Sequence, residues 1–264
     1  MRMQVSSKKT FITRRIIKGK EECNRWLDDY SRSFCSYIKH AERGKLDRRA
    51  IASGSMVIRL HLKIIEEFHL YMAKSLPGST ISIGGEEKKK IMNELQMSSL
   101  KEGFRTSYSL QGTEDASKWN ECMNPLMFAI VHQCWINDEV RSRNGLKPAT
   151  VEDKVLIKIS TMGFCYLLIK RINLGIGFLL EESDFYNRMK WCEIDDKQLN
   201  EKSRLWINKI HSKIDNEDYV EASPGFLMGM LNACSTTMGL VAISGTNVQN
   251  TIVRSLRTSD DSIP

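Results

Sequence analysis

Apolar positions along the chain recur mostly at helical spacing. Trp26, Tyr30, Phe34 and Ile38 fall every fourth residue, which predicts a helix over 21–40. "HAERGKLDRRAIASGS" (40–55) breaks the period and reads as a basic loop punctuated by Gly44 and Gly54. Over 56–76 the residues Val57, Leu60, Ile64, Phe68 and Tyr71 share one helical face, and Pro77-Gly78 ends the run. "STISIGG" (79–85) predicts a short extended piece, and 86–100 a further helix. "RTSYSLQ" (105–111) alternates as a strand does. Helical periodicity returns over 122–143 and, after a loop at 145–153, runs to about Arg171. Residues 176–195 are mixed and allow a hairpin, and 196–214 form a charged amphipathic helix. A Ser-Pro-Gly turn then directly precedes an apolar helix within 222–244. "NTIVRSLR" (250–257) reads as a strand and TSDD as the turn after it. The mixture is α+β and helix-rich.

Composition sharpens this picture in two places. The 264 residues are 41% hydrophobic, enough for one large domain or two small ones with a real core. The net charge is +7, and residues 1–60 hold fifteen Lys/Arg against six acids. More than the whole excess therefore sits in the first quarter, which points to a polyanion partner or to a solvated basic face. The seven cysteines show no CxxC, and the five histidines no HExxH or i, i+4 pair, so spacing argues against a zinc site. The odd count fits free thiols in a reducing compartment. The most apolar run, "MGFCYLLIKRINLGIGFLL", is interrupted by Lys170 and Arg171, so no membrane span is expected.

Four stretches could carry chemistry. Asp115 follows one β-like run, and Asp260 and Asp261 follow another. Carboxylates beyond strand ends can converge at one sheet edge and bind hard divalent cations, although Asp-Asp pairs are also ordinary in turns. "ERGKLDRRA" (42–50) crowds Arg43, Lys45, Arg48 and Arg49, which suits a phosphate clamp, an import signal or plain solvated charge. "SPGFLMGMLN" (223–232) combines a tight turn with Gly225 and Gly229, which permit close backbone approach. Asn232, Ser235 and Thr236, one turn further on, could read a ribose 2′-hydroxyl or belong to a packed core helix with Met228, Met230 and Met238 as filler. In "KWNE" (118–121), Trp119 is core or a wedge against a base, Lys118 and Glu121 can form a surface pair, and Asn120 can lie beside a nucleotide sugar.

The order of these stretches is more specific than any one of them. "KHAERGKLDRRAIAS", "IGGEEKKK", "DASKWNECMNPLMF", "SPGFLMGMLNACSTTMGL" and "SDD" together resemble the polymerase basic protein 1 family, the catalytic subunits of orthomyxovirus RNA-directed RNA polymerases. The resemblance runs almost end to end and is weakest over 1–38 and 140–220. It implies the fingers and partial palm of a right-hand polymerase, with the thumb absent. It places fingers and a basic fingertip in 1–104, palm motif A in 105–146, a fingers insertion in 147–221 and palm motifs B and C in 222–264. By resemblance the fingertip residues that meet NTP and template are Lys39, Arg43, Lys45, Arg48 and Arg49. Motif A supplies Asp115, with Lys118 and Asn120 following. Motif B supplies Ser223, Gly225, Met228, Gly229 and Asn232 and continues to Ser235 and Thr236. Motif C supplies Asp260 and Asp261.

The implied activity is nucleotidyl transfer that replicates and transcribes a segmented negative-strand RNA genome. Asp115, Asp260 and Asp261 would be catalytic and would hold two Mg²⁺, or Mn²⁺. The implied partners are viral RNA template and product, NTPs, the polymerase acidic subunit and polymerase basic protein 2 in a heterotrimer, and nucleoprotein, with no membrane. The implied location is the host nucleus and the virion. The sequence departs from the family pattern at Asp47, where a basic residue is expected, at "ASGSM", which replaces a Pro-Gly turn, and at one extra residue that makes Glu114 an alternative acid to Asp115. Met1 reads as an internal methionine and Pro264 as a truncation, so an isolated chain is expected to be inactive, and to stop before the strand that returns from the Asp-Asp turn. Rival readings are a non-catalytic basic RNA-binding remnant and a bunyavirus-like polymerase; the SPG-x-x-MGM stretch argues against the latter.

Overall fold

Helix α1 spans Lys20–Ser31, and Ser31 and Ser33 then turn their hydroxyls back onto the carbonyls of Leu27 and Asp29. Side chains that compete for helix carbonyls in this way favour a stop. The chain continues as strand β1 (Ser33–Lys39), which pairs antiparallel with β2 (Arg49–Gly54). The helix expected over 21–40 is thus half helix and half strand, because a four-residue apolar spacing satisfies periods of both 3.6 and 2. The loop expected over 40–55 likewise yields β2 from its second half. The computed structural model describes residues 16–39, 49–101, 112, 114–115, 119–174, 178–179, 188–189, 200–214, 219–222, 224–227, 229–244, 254–258 and 261–263.

Ser55 caps helix α2 (Met56–Ala73) through the Ile58 amide. The helix is where its periodicity predicts it, but the buried face is different. Ile58, Ile65, His69 and Ala73 face the core, whereas Leu60 and Tyr71 are 60% and 74% exposed. Apolar residues lie on most sides of this helix, so period alone does not choose the stripe, and the true one includes a histidine. Helix α3 (Gly85–Lys101), strand β3 (Glu114–Asp115) and the single turn α4 (Trp119–Cys122) follow. Asn124 caps α5 (Pro125–Ile136), Asn137 caps α6 (Asp138–Arg143), and a Thr150/Asp153 capping box opens α7 (Val151–Leu168). Strand β4 (Arg171–Asn173) precedes a hairpin of β5 (Phe178–Leu179) and β6 (Arg188–Met189). Then come α8 (Glu201–Ile210), a 3₁₀ turn, β7 (Tyr219–Glu221), α9 (Asn232–Ser244), β8 (Leu256–Thr258) and β9 (Asp261–Ile263).

Among the described residues there are two larger sheets. One has the order β2-β1-β4-β7, with β1 and β4 parallel and the other neighbours antiparallel. The other has the order β3-β9-β8, all antiparallel. Strand β9 is the returning strand that the sequence was expected to lack. The helix expected directly after the Ser-Pro-Gly turn instead begins at Asn232, because Gly229 (φ 77°) and Leu231 (φ 53°) hold the intervening backbone in the left-handed region.

The core lies where α2, α5, α7 and α9 meet. Phe128 is fully buried, with its ring 4.9 Å from Phe226 and 5.9 Å from Phe164. It therefore joins α5, α7 and the segment leading into α9. Phe34, Ile58, Ile65, Ala129, Leu167, Leu231 and Cys234 belong to the same cluster. Truncating Phe128 removes both ring contacts and leaves a cavity. Phe128→Ala is expected to cost about 3–5 kcal/mol, measured by urea unfolding.

Candidate active site

The acidic residues come together through strand register. Asp115 on β3 is the register partner of Asp261 on β9, and Asp261 in turn faces Thr258 on β8. Glu114, the alternative acid, pairs instead with Ser262. The register thus sets Asp115, and not Glu114, opposite Asp261. Asp260 lies outside the described residues.

The far edge of this sheet is held by the segment after α2. The amide of Arg257 donates to the Gly78 carbonyl at 2.8 Å, and the Thr80 amide donates to the Arg257 carbonyl at 3.0 Å. Gly78 is required here: its φ is 86°, and a Cβ would lie 2.1 Å from the Ser255 carbonyl oxygen. The Lys88 ammonium donates to the Thr258 hydroxyl at 2.9 Å, which brings a cation of α3 to the strand beside Asp261. Arg257 is buried, with its guanidinium 4.4 Å from the centre of the Trp119 ring and packed against Gly239 of α9. One side chain thus links β8, the KWNE turn and α9. Trp119 serves as the seat of a buried cation.

Three contacts fix the Ser-Pro-Gly segment. Gly225 lies so close to the KWNE turn that a Cβ would meet the Glu121 carbonyl oxygen at 2.0 Å. The next amide, Phe226, donates to the Met123 carbonyl at 3.2 Å. The buried ammonium of Lys170 donates to the Leu167 carbonyl at 3.0 Å, at the end of α7, and to the Gly225 carbonyl. Burial lowers the Lys170 pKa to about 8. At the start of α9, Glu66 of α2 accepts from the Ala233 amide at 3.0 Å, and the neighbouring Cys234 amide also favours its carboxylate. A carboxylate suits the positive end of the helix dipole, although burial raises the Glu66 pKa.

The remaining expected site residues divide clearly. Ser235 and Thr236 are fully buried, and their hydroxyls donate to the Asn232 carbonyl at 3.0 and 2.8 Å. Asn232 is half-buried at the first position of α9. Asn120 is half-buried in α4, its Oδ1 buried without a hydrogen-bond donor. Gly229 has open space around its α-carbon. Lys39 and Arg49 are register partners at the end of the β1–β2 pair, flanking the basic stretch. Arg43, Lys45, Arg48, Lys118, Ser223 and Met228, like the β-like run 105–111, lie outside the described residues.

Four residues that shape the site were not singled out by sequence: Glu66, Lys88, Lys170 and Arg257. Only Lys88 carried a signal, as part of the "IGGEEKKK" stretch. The model of a family described as Influenza RNA-dependent RNA polymerase subunit PB1 matches the chain over residues 1–264.

Two outcomes follow from the contacts at Gly225. Gly225→Ala forces the loop off the KWNE turn, and a loss of about 1–3 kcal/mol is expected in urea unfolding. Lys170 predicts a pH effect. From about pH 8 to its ordinary value of 10.5, the unfolded chain holds a proton that the folded chain has released. Lys170 therefore contributes a rise in stability with pH across that window, of up to about 3 kcal/mol. Above pH 9 the buried Cys234 thiol, whose pKa is raised, opposes it. Lys170→Met should remove the rising contribution, seen as a difference from the unaltered chain in thermal melts at pH 7 to 10.5.

Proposed function

Because the chain belongs to the family of influenza RNA-dependent RNA polymerase subunit PB1, and so is a viral RNA polymerase subunit, we propose that it carries the nucleotidyl-transfer centre of that polymerase. The reaction is attack of an RNA 3′-hydroxyl on the α-phosphate of an NTP, with release of pyrophosphate. The observation that carries this reading is the register pairing of Asp115 with Asp261. Two acidic positions 146 residues apart in sequence have no structural need to be paired across a sheet, and like charges directly opposite one another destabilise it. A divalent cation removes that penalty, and oxygen donors of this kind suit Mg²⁺ or Mn²⁺.

Two such ions would be held by Asp115, Asp260 and Asp261, and when bound they supply charge neutralisation and Lewis acidity at the transferring phosphate. The protein's own groups bind and orient. Lys39, Arg43, Lys45, Arg48 and Arg49 grip the triphosphate and template backbone from the basic stretch, and Lys118 adds a cation beside motif A. The segment with Ser223, Gly225, Met228 and Gly229 positions the template, docked on the KWNE turn through Gly225. Asn120 and Asn232 are the side chains that would read the ribose. Ser235 and Thr236 support that contact from within α9, given their buried, helix-bonded hydroxyls. Buried Arg257 and Lys170 hold the frame.

The polymerase works as an assembly with the acidic subunit and polymerase basic protein 2, on viral RNA coated with nucleoprotein, in the host nucleus and the virion. No described helix is long and apolar enough to cross a membrane.

In the assembled polymerase, Asp115→Ala is expected to reduce primer elongation by a factor of roughly a thousand or more while RNA binding in a filter or anisotropy assay is retained. Elongation close to that of the unaltered protein would overturn the assignment and leave a basic RNA-binding module in its place.

A further inference from the structure

Three polar side chains from three helices converge in the core at a place the polymerase reading does not use. They are His69 of α2, His132 of α5 and Cys234 of α9, all fully buried. Their ligand-capable atoms all lie within 4.8 Å of one another. The two Nε2 atoms are 3.0 Å apart.

The surrounding hydrogen bonds fix how this cluster presents itself. Ser160 Oγ donates to the Ile157 carbonyl at 2.9 Å and also lies 2.9 Å from His132 Nδ1. A hydroxyl has one proton, so His132 Nδ1–H must donate to Ser160, and its Nε2 is left with a lone pair pointing into the cluster. A histidine whose outer nitrogen is anchored by a hydrogen bond and whose inner nitrogen is bare is the usual arrangement of a metal ligand.

A fourth donor, Glu66, lies outside this 4.8 Å group but on the same helix as one of its members. Glu66 precedes His69 by three residues on α2, so the two share a helix face. Its Oε1 caps α9, while its Oε2 is buried without a hydrogen-bond donor. Its charge also acts on the Cys234 thiol.

We propose that His69, His132, Cys234 and Glu66 form a structural zinc site that ties α2, α5 and α9 together. The donor set of two imidazoles, one thiolate and one carboxylate suits a tetrahedral Zn²⁺, and its two negative charges balance the ion in an apolar core. Tetrahedral bonds of about 2.0–2.1 Å to nitrogen and 2.3 Å to sulfur place donor atoms about 3.3–3.6 Å apart. The three grouped donor atoms, now within 4.8 Å of one another, would close by up to about 1.5 Å, and the Glu66 side chain would swing in to complete the set. Four protein ligands leave no open position, which makes the site structural and not catalytic. Without the ion the two imidazoles and the thiol are held neutral by burial, which lowers the pKa values of His69 and His132 to about 3 and 4 and raises that of the thiol. Metal binding then releases the thiol proton. The proposal is independent of the polymerase assignment.

The test is metal content. The intact chain, incubated with zinc and dialysed, is expected to retain roughly one Zn²⁺ per molecule by elemental mass spectrometry, and to melt at a higher temperature with zinc than after chelation. Cobalt in its place should give a thiolate-to-metal charge-transfer band. Cys234→Ala should abolish that band, and His132→Leu, which keeps the core filled, should reduce zinc retention at least about tenfold. Circular dichroism establishes that each variant is folded. Failure of the unaltered chain to retain zinc, or to melt differently with it, would show a plain hydrogen-bonded histidine pair and overturn the proposal. So would undiminished zinc in the folded variants, which would place the metal elsewhere.

Discussion

The carboxylate of Glu66 against the first amides of α9 is the contact on which the rest of the site depends. A helix that begins in the interior leaves its first amides without partners, and an unpaired buried amide costs about 1–3 kcal/mol. Glu66 supplies the acceptor from α2, so the start of α9 is fixed to the four-helix core and not merely placed near it. Once that end is fixed, Gly239 two turns later is fixed as well, and with it the place where Arg257 can lie. Arg257 carries β8, β8 carries β9, and β9 carries the register that sets Asp261 opposite Asp115. The acidic sheet has only two or three residues in each strand. Isolated strands of that length are not stable, so their order is borrowed from the helices through this chain of contacts.

What could be read from sequence divides along the same lines. Local signals worked where the responsible residues are neighbours. Pro77-Gly78 follows the end of α2, as read, whereas the caps Asn124, Asn137 and Thr150 were not read, so one helix was expected over 122–143 and a loop as far as 153. Such local signals also failed where two periods coincide, as at Phe34 and Ile38, or where apolar residues surround a helix, as on α2. Long-range pairing was legible only in outline. Asp115 and Asp261 could be suspected of converging, but which of Glu114 and Asp115 faces Asp261 is decided by a one-residue register, and no local pattern records it. Lys170 illustrates the limit more sharply. In sequence it is the charge that interrupts an apolar run; in the fold it is buried at the end of α7, held by carbonyls of α7 and of the Ser-Pro-Gly segment. A lysine next to an apolar stretch looks the same whether it reaches for water or for the main chain.

The spacing rules for metal sites could not register the histidine cluster for a related reason. They detect ligands supplied by one local turn or helix, and His69, His132 and Cys234 come from three separate elements. Each histidine has an apolar or aromatic neighbourhood in sequence, which reads as core filling. Their meeting depends on α2 and α5 both packing at the start of α9, the same geometry that Glu66 enforces. The cap of α9 and the histidine cluster are therefore two parts of one junction.

The segment between Gly225 and α9 shows how that junction bears on chemistry. Its first end is fixed by Lys170 and by backbone contact with the KWNE turn. Its last residue, Leu231, is buried at a φ of 53°, a conformation that costs an ordinary side chain about 1–2 kcal/mol. Burial of a leucine side chain yields about 1.5–3 kcal/mol, enough to hold the strained backbone in place. The strain is thus maintained by the core and is confined to the residue before the helix. Between the two fixed ends stands Gly229, in the left-handed region and, among the described residues, with no atom within 4 Å of the place a Cβ would take. An unencumbered left-handed glycine between two anchored ends suits the template-positioning role proposed for this segment: room in the middle to adapt to different bases, and ends that keep its distance from the paired aspartates constant.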